Sequence, residues 1–174
     1  MPAEPKSKSV EVGRLVERGA ATVGKASSCW LATVDADGAP RLRPMGRLPP
    51  EPGDDGWRLR FVTDGRALKA GNIRRAGRAD LVFQHEAEGA FVALSGVAGL
   101  EEDQAEVRRR WKRAYDAFFP SEADKANAVF LTVEADRLDL WIKGVTPEPF
   151  GLKTTTLARN ADGAWLLKGD GEGA

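Results

Sequence analysis

Short runs that alternate between apolar and polar residues recur along the chain and predict a mainly β fold. In residues 57–63, Trp57, Leu59 and Phe61 fall on one face and Arg58 and Arg60 on the other, which is typical of a half-buried strand. Because short turns join most such runs, we expect a largely antiparallel sheet of six or more strands. The other predicted strands cover residues 29–34, 39–46, 79–84, 91–98, 128–133, 138–142, 154–158 and 165–167.

Apolar residues at helical spacing predict about three helices, over residues 10–23, 66–76 and 101–119. Thr63 or Asp64 is expected to cap the second helix, and Gly77 to end it. Together with the number of strands, these helices favour a closed or nearly closed β-barrel with peripheral helices. In the third helix the apolar face comprises Val107, Trp111, Tyr115 and Phe118, and the basic residues 108–113 are interpreted as a solvated face.

The length of 174 residues suits one domain, which we place at residues 10–168 between a flexible N-terminus (1–9) and a flexible tail (169–174). Lys and Arg together number 26, as do Asp and Glu, so the net charge is zero and nucleic acid is not an expected partner. No apolar run approaches the roughly 20 residues that span a membrane. Without a secretory signal, the sequence predicts a cytoplasmic protein.

The chain has one cysteine, Cys29, and one histidine, His85. This scarcity excludes a disulfide framework and a Cys/His zinc site, and no metal site or catalytic residue is assigned. Cys29 is interpreted as a small buried apolar residue on a strand. Any redox chemistry therefore has to come from a bound cofactor.

Positive charge is concentrated in residues 41–75, which hold nine cationic and four anionic side chains. Arg41 and Arg43 project from one face of a predicted strand, whereas Arg66 and Lys69 lie three residues apart near a predicted helix N-terminus. Such an arrangement suits a phosphate, which accepts from guanidinium, ammonium and backbone N–H donors. The alternative is a set of scattered solubilising charges, and composition alone leaves both open.

Four segments in order carry a resemblance to a known family: residues 30–46, with Arg43-Pro44-Met45 near their end; residues 61–69; residues 81–96; and residues 138–141. They resemble the pyridoxamine 5′-phosphate oxidase-like flavoproteins, and in particular the general stress protein type of FMN-binding split barrel. The resemblance covers about residues 28–143. It implies a six-stranded split β-barrel that forms a homodimer with FMN at the interface.

The resemblance also implies roles for individual residues. Arg43, Pro44 and Met45 would run along the flavin ring edge, while Arg66 and Lys69 would hold the phosphate. The remaining implied cofactor contacts are Phe61, Val62 and Thr63 beside the ribityl chain and ring, with Gln84 and Trp141 approaching the flavin, the last two from the partner chain.

Two departures from the family pattern modify the expected function. Ala67 and Leu68 stand where a Ser-Arg pair often precedes the lysine, so two phosphate donors are missing. The arginine and histidine that bind the substrate phosphate in true pyridoxamine phosphate oxidases are not matched, which argues against that activity. We expect an FMN-dependent oxidoreductase acting on a small molecule. The alternatives are a flavin-binding stress-response module without turnover and a deazaflavin-using split-barrel reductase; haem is disfavoured by the single histidine.

Overall fold

The computed structural model describes residues 5–169 of the chain, so residues 1–4 and 170–174 of the predicted flexible ends lie outside the described residues, whereas residues 5–9 belong to a helix. The helix expected from residue 10 begins at Pro5, where the sequence pattern was weakest. Short 3₁₀ turns occur at Glu86–Glu88 and Arg113–Ala117. The described α-helices are α1 (Pro5–Lys25), α2 (Leu68–Ala76), α3 (Gln104–Arg109) and α4 (Glu122–Lys125).

Eight strands confirm the mainly β prediction. They form one sheet in the order β2-β1-β4-β5-β6-β7-β8, and β3 pairs with β6. The path ends at β2 and β8, and the registered pairs of β3 with β6, β6 with β7 and β7 with β8 are antiparallel. The strands are β1 (Ser28–Val34), β2 (Pro40–Gly46), β3 (Arg58–Asp64), β4 (Arg78–His85), β5 (Ala90–Glu101), β6 (Ala128–Ile142), β7 (Thr155–Arg159) and β8 (Trp165–Leu167).

The chain divides into two compact units that are interleaved along the sequence. The first comprises the described residues up to 29, residues 81–95 and residues 135–169; the second comprises residues 30–80 and 96–134. Alternation along the strands buries one face of each unit. The first unit buries Leu15, Val23, Phe83, Val92, Leu94, Leu138, Leu140 and Leu157, and the second buries Leu31, Trp57, Phe61, Ile73, Phe130, Leu131 and Val133.

The third helix, predicted over residues 101–119, is much shorter in the structure, so this prediction is wrong in its length. Helix α3 ends at Arg109, Lys112 has an extended backbone, and a 3₁₀ turn follows. The break accompanies edge-on packing of Trp111 against Tyr115 and Phe119, at centroid separations of 5.5 and 5.6 Å. This tertiary packing outweighs local helix propensity. Phe118, predicted to be on the apolar face, is 75% exposed, and Phe119 is buried instead.

Two further boundaries differ from the sequence-based expectation. The predicted strands over 128–133 and 138–142 are one continuous strand, β6, in which Glu134 is exposed, Ala135 is buried, and Asp136 and Arg137 are half-buried. Glu134 pairs with Arg58 of β3, and their side chains form a 2.7 Å ion pair. Helix α2 has Ala67 as its N-cap, not Thr63 or Asp64, which end β3; Gly77 closes α2 in the left-handed conformation, as predicted.

Candidate anion site

Strands β1 and β2 place Arg43 beside a buried hydroxyl. The turn that joins them is held by Asp35, whose carboxylate accepts from the Ala39 N–H at 3.0 Å. Arg43 is half-buried, and its Nη1 donates to Thr33 Oγ1 at 2.8 Å and to the Leu31 carbonyl at 3.4 Å. Because a guanidinium has five N–H donors, these contacts orient Arg43 and leave it with further donors.

Helix α2 supplies the second half of the site. Lys69 and Asn72 are three residues apart on this helix, hence on one side of it. Asn72 is 1% exposed, and its Nδ2 donates to the same Thr33 Oγ1 at 3.0 Å. The side-chain oxygen Oδ1 of Asn72 accepts from Arg75 Nη1 at 3.3 Å. Thr33 therefore ties β1, Arg43 and α2 together, and we call Thr33, Arg43, Lys69 and Asn72 the anion site.

Electrostatics in the anion site favour a negatively charged ligand. Burial lowers the pKa of Lys69, and the nearby positive charge of Arg43 lowers it further, against a smaller opposite effect of Asp64. Burial likewise lowers the pKa of Arg43. Within residues 5–169, neither side chain has an ion pair with a carboxylate. Two partly buried cations without a counter-ion form a site that an anion stabilises.

Most of the other cations in residues 41–75 have acidic partners, so the local charge excess is smaller than the sequence suggests. Arg66, predicted to hold a phosphate, donates to Asp64, from Nε at 3.0 Å and from Nη2 at 2.7 Å. Five of the nine cations are in such ion pairs: Arg41 with Asp35, Arg58 with Glu134, Arg60 with Asp54, Arg66 with Asp64 and Arg74 with Glu102.

The other predicted cofactor residues of the second unit differ in accessibility. Pro44 is exposed and Met45 is half-buried, beside Arg43 on β2. On β3, Phe61 is fully buried and Thr63 is 5% exposed, so their side chains belong to the core. Val62 points the opposite way and packs against a cluster that includes Phe130. Phe61 and Thr63 could therefore reach a ligand only through their backbone, whereas the half-buried Val62 keeps part of its side chain exposed, and contact of these residues with a flavin stays a prediction.

Gln84 and Trp141 belong to the first unit, at the end of β4 and near the end of β6. The Gln84 side chain is exposed and donates from Nε2 to Glu86 Oε1 at 3.2 Å. Trp141 is half-buried. Both are accessible to a ligand or to a second chain, and their contact with a flavin stays a prediction.

Thr33 and Asn72 are the site residues that sequence reasoning missed. A signal for Asn72 existed, because a polar residue three positions after Lys69 faces the same side of α2. Thr33 gave only a weak signal, since threonine is common in strands. Cys29 is buried, as predicted.

Residues 5–169 contain no group of three or more His, Cys, Asp and Glu side chains placed to hold a metal ion. None of the helices in this part of the chain is long and apolar enough to span a membrane.

The fold and the site define a mainly β, antiparallel protein with a pair of uncompensated cations between a strand and a helix. The family model described as pyridoxamine 5′-phosphate oxidase like matches residues 16–156. The chain belongs to this family, which confirms the predicted split-barrel class. A comparison with curated protein sequences found no match.

Solved structures show the same fold at low sequence identity. A Clostridium acetobutylicum protein related to general stress protein 26 has a TM-score of 0.65 and 18% identity, over 84% of this chain and 94% of that one. A pyridoxamine 5′-phosphate oxidase-related, FMN-binding protein from Nostoc punctiforme has a TM-score of 0.65 and 17% identity, over 96% and 97%. A structure named F420 reductase has a TM-score of 0.53 and 19% identity, over 68% and 93%.

Proposed function

We propose that this chain is a cytoplasmic FMN-dependent oxidoreductase whose anion site holds the FMN phosphate. The observation that carries the proposal is the pair of partly buried cations, Arg43 and Lys69, without a carboxylate partner among the described residues. A phosphate would accept charge-assisted hydrogen bonds from both and would remove their mutual repulsion. The donor set therefore fits the phosphate end of FMN.

The roles of the side chains follow from their contacts. Arg43, fixed by Thr33, would present guanidinium donors to the phosphate, and Lys69 would add a point charge from α2. Arg66 contributes less than expected because Asp64 already occupies its Nε and Nη2 donors. FMN would supply the redox chemistry when bound, between a reduced nicotinamide or another small donor and a small acceptor.

A homodimer is part of the proposal. On β1, Trp30 and Val34 are 45% and 46% exposed, on the face opposite to the buried Leu31 and Thr33. Leu42 of β2 is also more than half exposed. Large apolar side chains grouped on neighbouring strands are typical of surfaces that another protein covers. We propose that a second copy of the chain covers this surface.

The experiment that tests the proposal is a titration of the purified protein with FMN. Lys69→Ala should weaken FMN binding by roughly tenfold to a hundredfold, the effect of losing one charge-assisted hydrogen bond. The matched control is Lys143→Ala, which removes an exposed lysine of the first unit and should leave the affinity unchanged. Failure of the wild type to take up FMN, or equal affinity of Lys69→Ala, would refute the assignment.

Turnover is tested separately from binding. An oxidoreductase loaded with FMN should lose its yellow absorbance anaerobically on addition of NADH, NADPH or the physiological donor. A yellow protein that resists every donor would favour a flavin-binding module without turnover. A parallel titration with a deazaflavin cofactor distinguishes the third possibility, because tighter binding of the deazaflavin than of FMN would contradict the proposed cofactor.

A further inference from the structure

The two cations of the anion site still have hydrogen-bond donors to offer. Arg43 and Lys69 are half-buried, and a guanidinium and an ammonium only donate hydrogen bonds. The contacts of Arg43 with Thr33 and with the Leu31 carbonyl use one nitrogen, Nη1. Within residues 5–169, Nε and Nη2 of Arg43 and Nζ of Lys69 have no hydrogen-bond partner. A ligand that approaches these two side chains therefore meets several donors.

The side-chain acceptors of the anion site are already occupied. Thr33 Oγ1 accepts from Arg43 Nη1 at 2.8 Å and from Asn72 Nδ2 at 3.0 Å, which fills both acceptor positions of a hydroxyl. Asn72 Oδ1 accepts from Arg75 Nη1 at 3.3 Å. Because Thr33 is 3% and Asn72 is 1% exposed, their oxygen atoms are also shielded from a ligand. Neither side chain is therefore available to accept a hydrogen bond from a ligand.

The carboxylate of Asp64, whose charge acts on Lys69, is engaged elsewhere. It accepts from the backbone N–H, Nε and Nη2 of Arg66 in four contacts between 2.7 and 3.2 Å. Four is the number of hydrogen bonds that the two oxygens of a carboxylate accommodate. The hydrogen bond from the Arg66 side chain also lowers the pKa of Asp64, which keeps this carboxyl ionised. Asp64 therefore supplies no further acceptor to a ligand at the anion site.

We propose that the anion site selects a fully ionised phosphate monoester over its singly protonated form. A phosphate monoester loses its second proton with a pKa of about 6, and its three terminal oxygens then only accept hydrogen bonds. The monoanion keeps a P–OH group, which needs an acceptor that the side chains of this site do not supply. It also brings one negative charge to two cations, Arg43 and Lys69. This inference rests on the proposed function, since it names the ionisation state in which FMN binds.

The groups of the protein would not produce the same pH dependence. The only histidine of the chain, His85, belongs to the first unit, whereas the anion site belongs to the second. Deprotonation of Lys69 at higher pH would weaken anion binding, which is the opposite direction. The other charged side chains in contact with the site residues or with Asp64 are guanidinium groups, which do not titrate in proteins: Arg43, Arg66 and Arg75.

Two titrations of the purified protein test this proposal. FMN, followed by its fluorescence, should bind about tenfold more weakly at about pH 5 than at about pH 7.5, because only about a tenth of its phosphate is doubly ionised at the lower pH. Inorganic sulfate carries no proton at either pH, so its affinity for the ligand-free protein, measured by calorimetry, should stay constant within about twofold. Sulfate therefore reports any pH effect that belongs to the protein itself.

Substitutions show whether the pH dependence arises at the anion site. Lys69→Gln replaces a side chain that only donates by an amide whose oxygen can accept, and it removes one positive charge. The ratio of FMN affinities at the two pH values should then fall from about tenfold to about threefold or less. Lys143→Gln, at an exposed lysine of the first unit, is the matched control and should keep the ratio. His85→Gln should keep it as well.

Equal FMN affinity at the two pH values, or a ratio that Lys69→Gln leaves unchanged, would overturn this proposal while FMN binding itself still stands. A ratio that disappears in His85→Gln, or a sulfate affinity that falls together with that of FMN, would also overturn it, because the pH dependence would then belong to the protein. Failure of FMN to bind at either pH would refute the proposed function, and this inference with it. Thermal unfolding of each variant at both pH values guards against loss of the fold.

Discussion

Burial lowers the pKa of the Lys69 ammonium, and the guanidinium of Arg43, which belongs to the same folded unit, lowers it further. Holding two like charges together in a partly buried position opposes folding. The contacts of Arg43 with Thr33 show that the arrangement is specific and not a chance approach of two long side chains. A site that is unfavourable alone and favourable with an anion is expected where a phosphate binds.

The pH dependence of stability tests this view of Lys69. The pKa of Lys69 in the folded state is below the ordinary 10.5. At a pH between these two pKa values, the unfolded chain therefore binds more protons at Lys69 than the folded chain does. Stability attributable to Lys69 should therefore increase with pH across this window. Lys69→Met removes the charge and should raise the free energy of unfolding of the ligand-free protein at neutral pH. Urea denaturation in phosphate-free buffer measures the difference.

The advantage of Lys69→Met should shrink as the pH passes 10.5, where the wild-type lysine is neutral in both states. The control is Lys143→Met, an exposed lysine whose substitution should leave stability nearly unchanged at neutral pH. A Lys69→Met protein that is less stable than the wild type at neutral pH would contradict the interpretation.

Thr33 is predicted to support both the fold and the anion site. Thr33→Val removes the acceptor for Asn72 Nδ2, at 3.0 Å, and for Arg43 Nη1, at 2.8 Å. Leaving a buried amide donor without a partner should lower the free energy of unfolding by about 1–3 kcal/mol. FMN affinity should fall as well, because Arg43 loses its orientation. Thr132→Val on β6, which is only half-buried, should change stability far less in the same urea titration.

Arg66 is predicted to matter little for FMN affinity. Asp64 already accepts from its Nε and Nη2 atoms, and the side chain is well exposed. Arg66→Ala should change the dissociation constant for FMN by no more than about threefold, since exposed ion pairs contribute less than about 1 kcal/mol. Fluorescence titration of FMN against both Arg66→Ala and Lys69→Ala provides the comparison. Equal losses in the two variants would restore Arg66 as a phosphate ligand.

Most of the fold could be predicted from local pattern. Strand β3 was recognisable because Trp57, Leu59 and Phe61 alternate with arginines, and these three are buried. Helix α3 was overextended because the apolar spacing of residues 107–118 fits a helix equally well. What ends it is packing around Phe130, a residue of β6. Contacts between residues that are far apart in the sequence cannot be predicted from the pattern of a short segment.

The candidate site was predictable in part. The cluster of cations in residues 41–75 was visible in the sequence, but which of them lack acidic partners was not. Arg66 is compensated by Asp64, two residues away, whereas Arg43 donates to Thr33 of β1, which also accepts from Asn72 of α2. Charge pairing at a site is decided by tertiary geometry, and composition counts every charge equally.

Asp35 is expected to make stability depend on acid pH. Hydrogen bonds from the Asp37 side chain, which donates when it is protonated, and from Arg41 lower its pKa from 3.8 to about 2. Its contribution is therefore present above pH 3.8 and is lost as the pH falls through about 2. Asp35→Asn should be less stable than the wild type at neutral pH, and this deficit should disappear progressively over that acidic range. Urea denaturation at several pH values measures it, with the exposed Asp80→Asn as control.

The glycine that joins β3 to the segment before α2 is predicted to be irreplaceable. A Cβ at Gly65 would lie 2.9 Å from Val129 Cγ1, 3.2 Å from the Asn127 carbonyl oxygen and 3.3 Å from Arg74 Nη2. A valine methyl on a strand has little freedom to move. Gly65→Ala should therefore lower the free energy of unfolding by about 1–3 kcal/mol, as overpacking does. It should also weaken FMN binding, because a shift of this segment displaces Lys69 a few residues later.

Gly71 provides the matched control for Gly65. It lies inside helix α2, and a Cβ there would meet no atom within 4 Å. Since alanine favours a helix over glycine by about 1 kcal/mol, Gly71→Ala should raise the free energy of unfolding by about 0.5–1 kcal/mol and preserve FMN affinity. Thermal and urea denaturation of the two variants should thus shift in opposite directions. If both substitutions changed the free energy of unfolding in the same direction, crowding at Gly65 would not explain the effect of Gly65→Ala, and helix α2 would determine it.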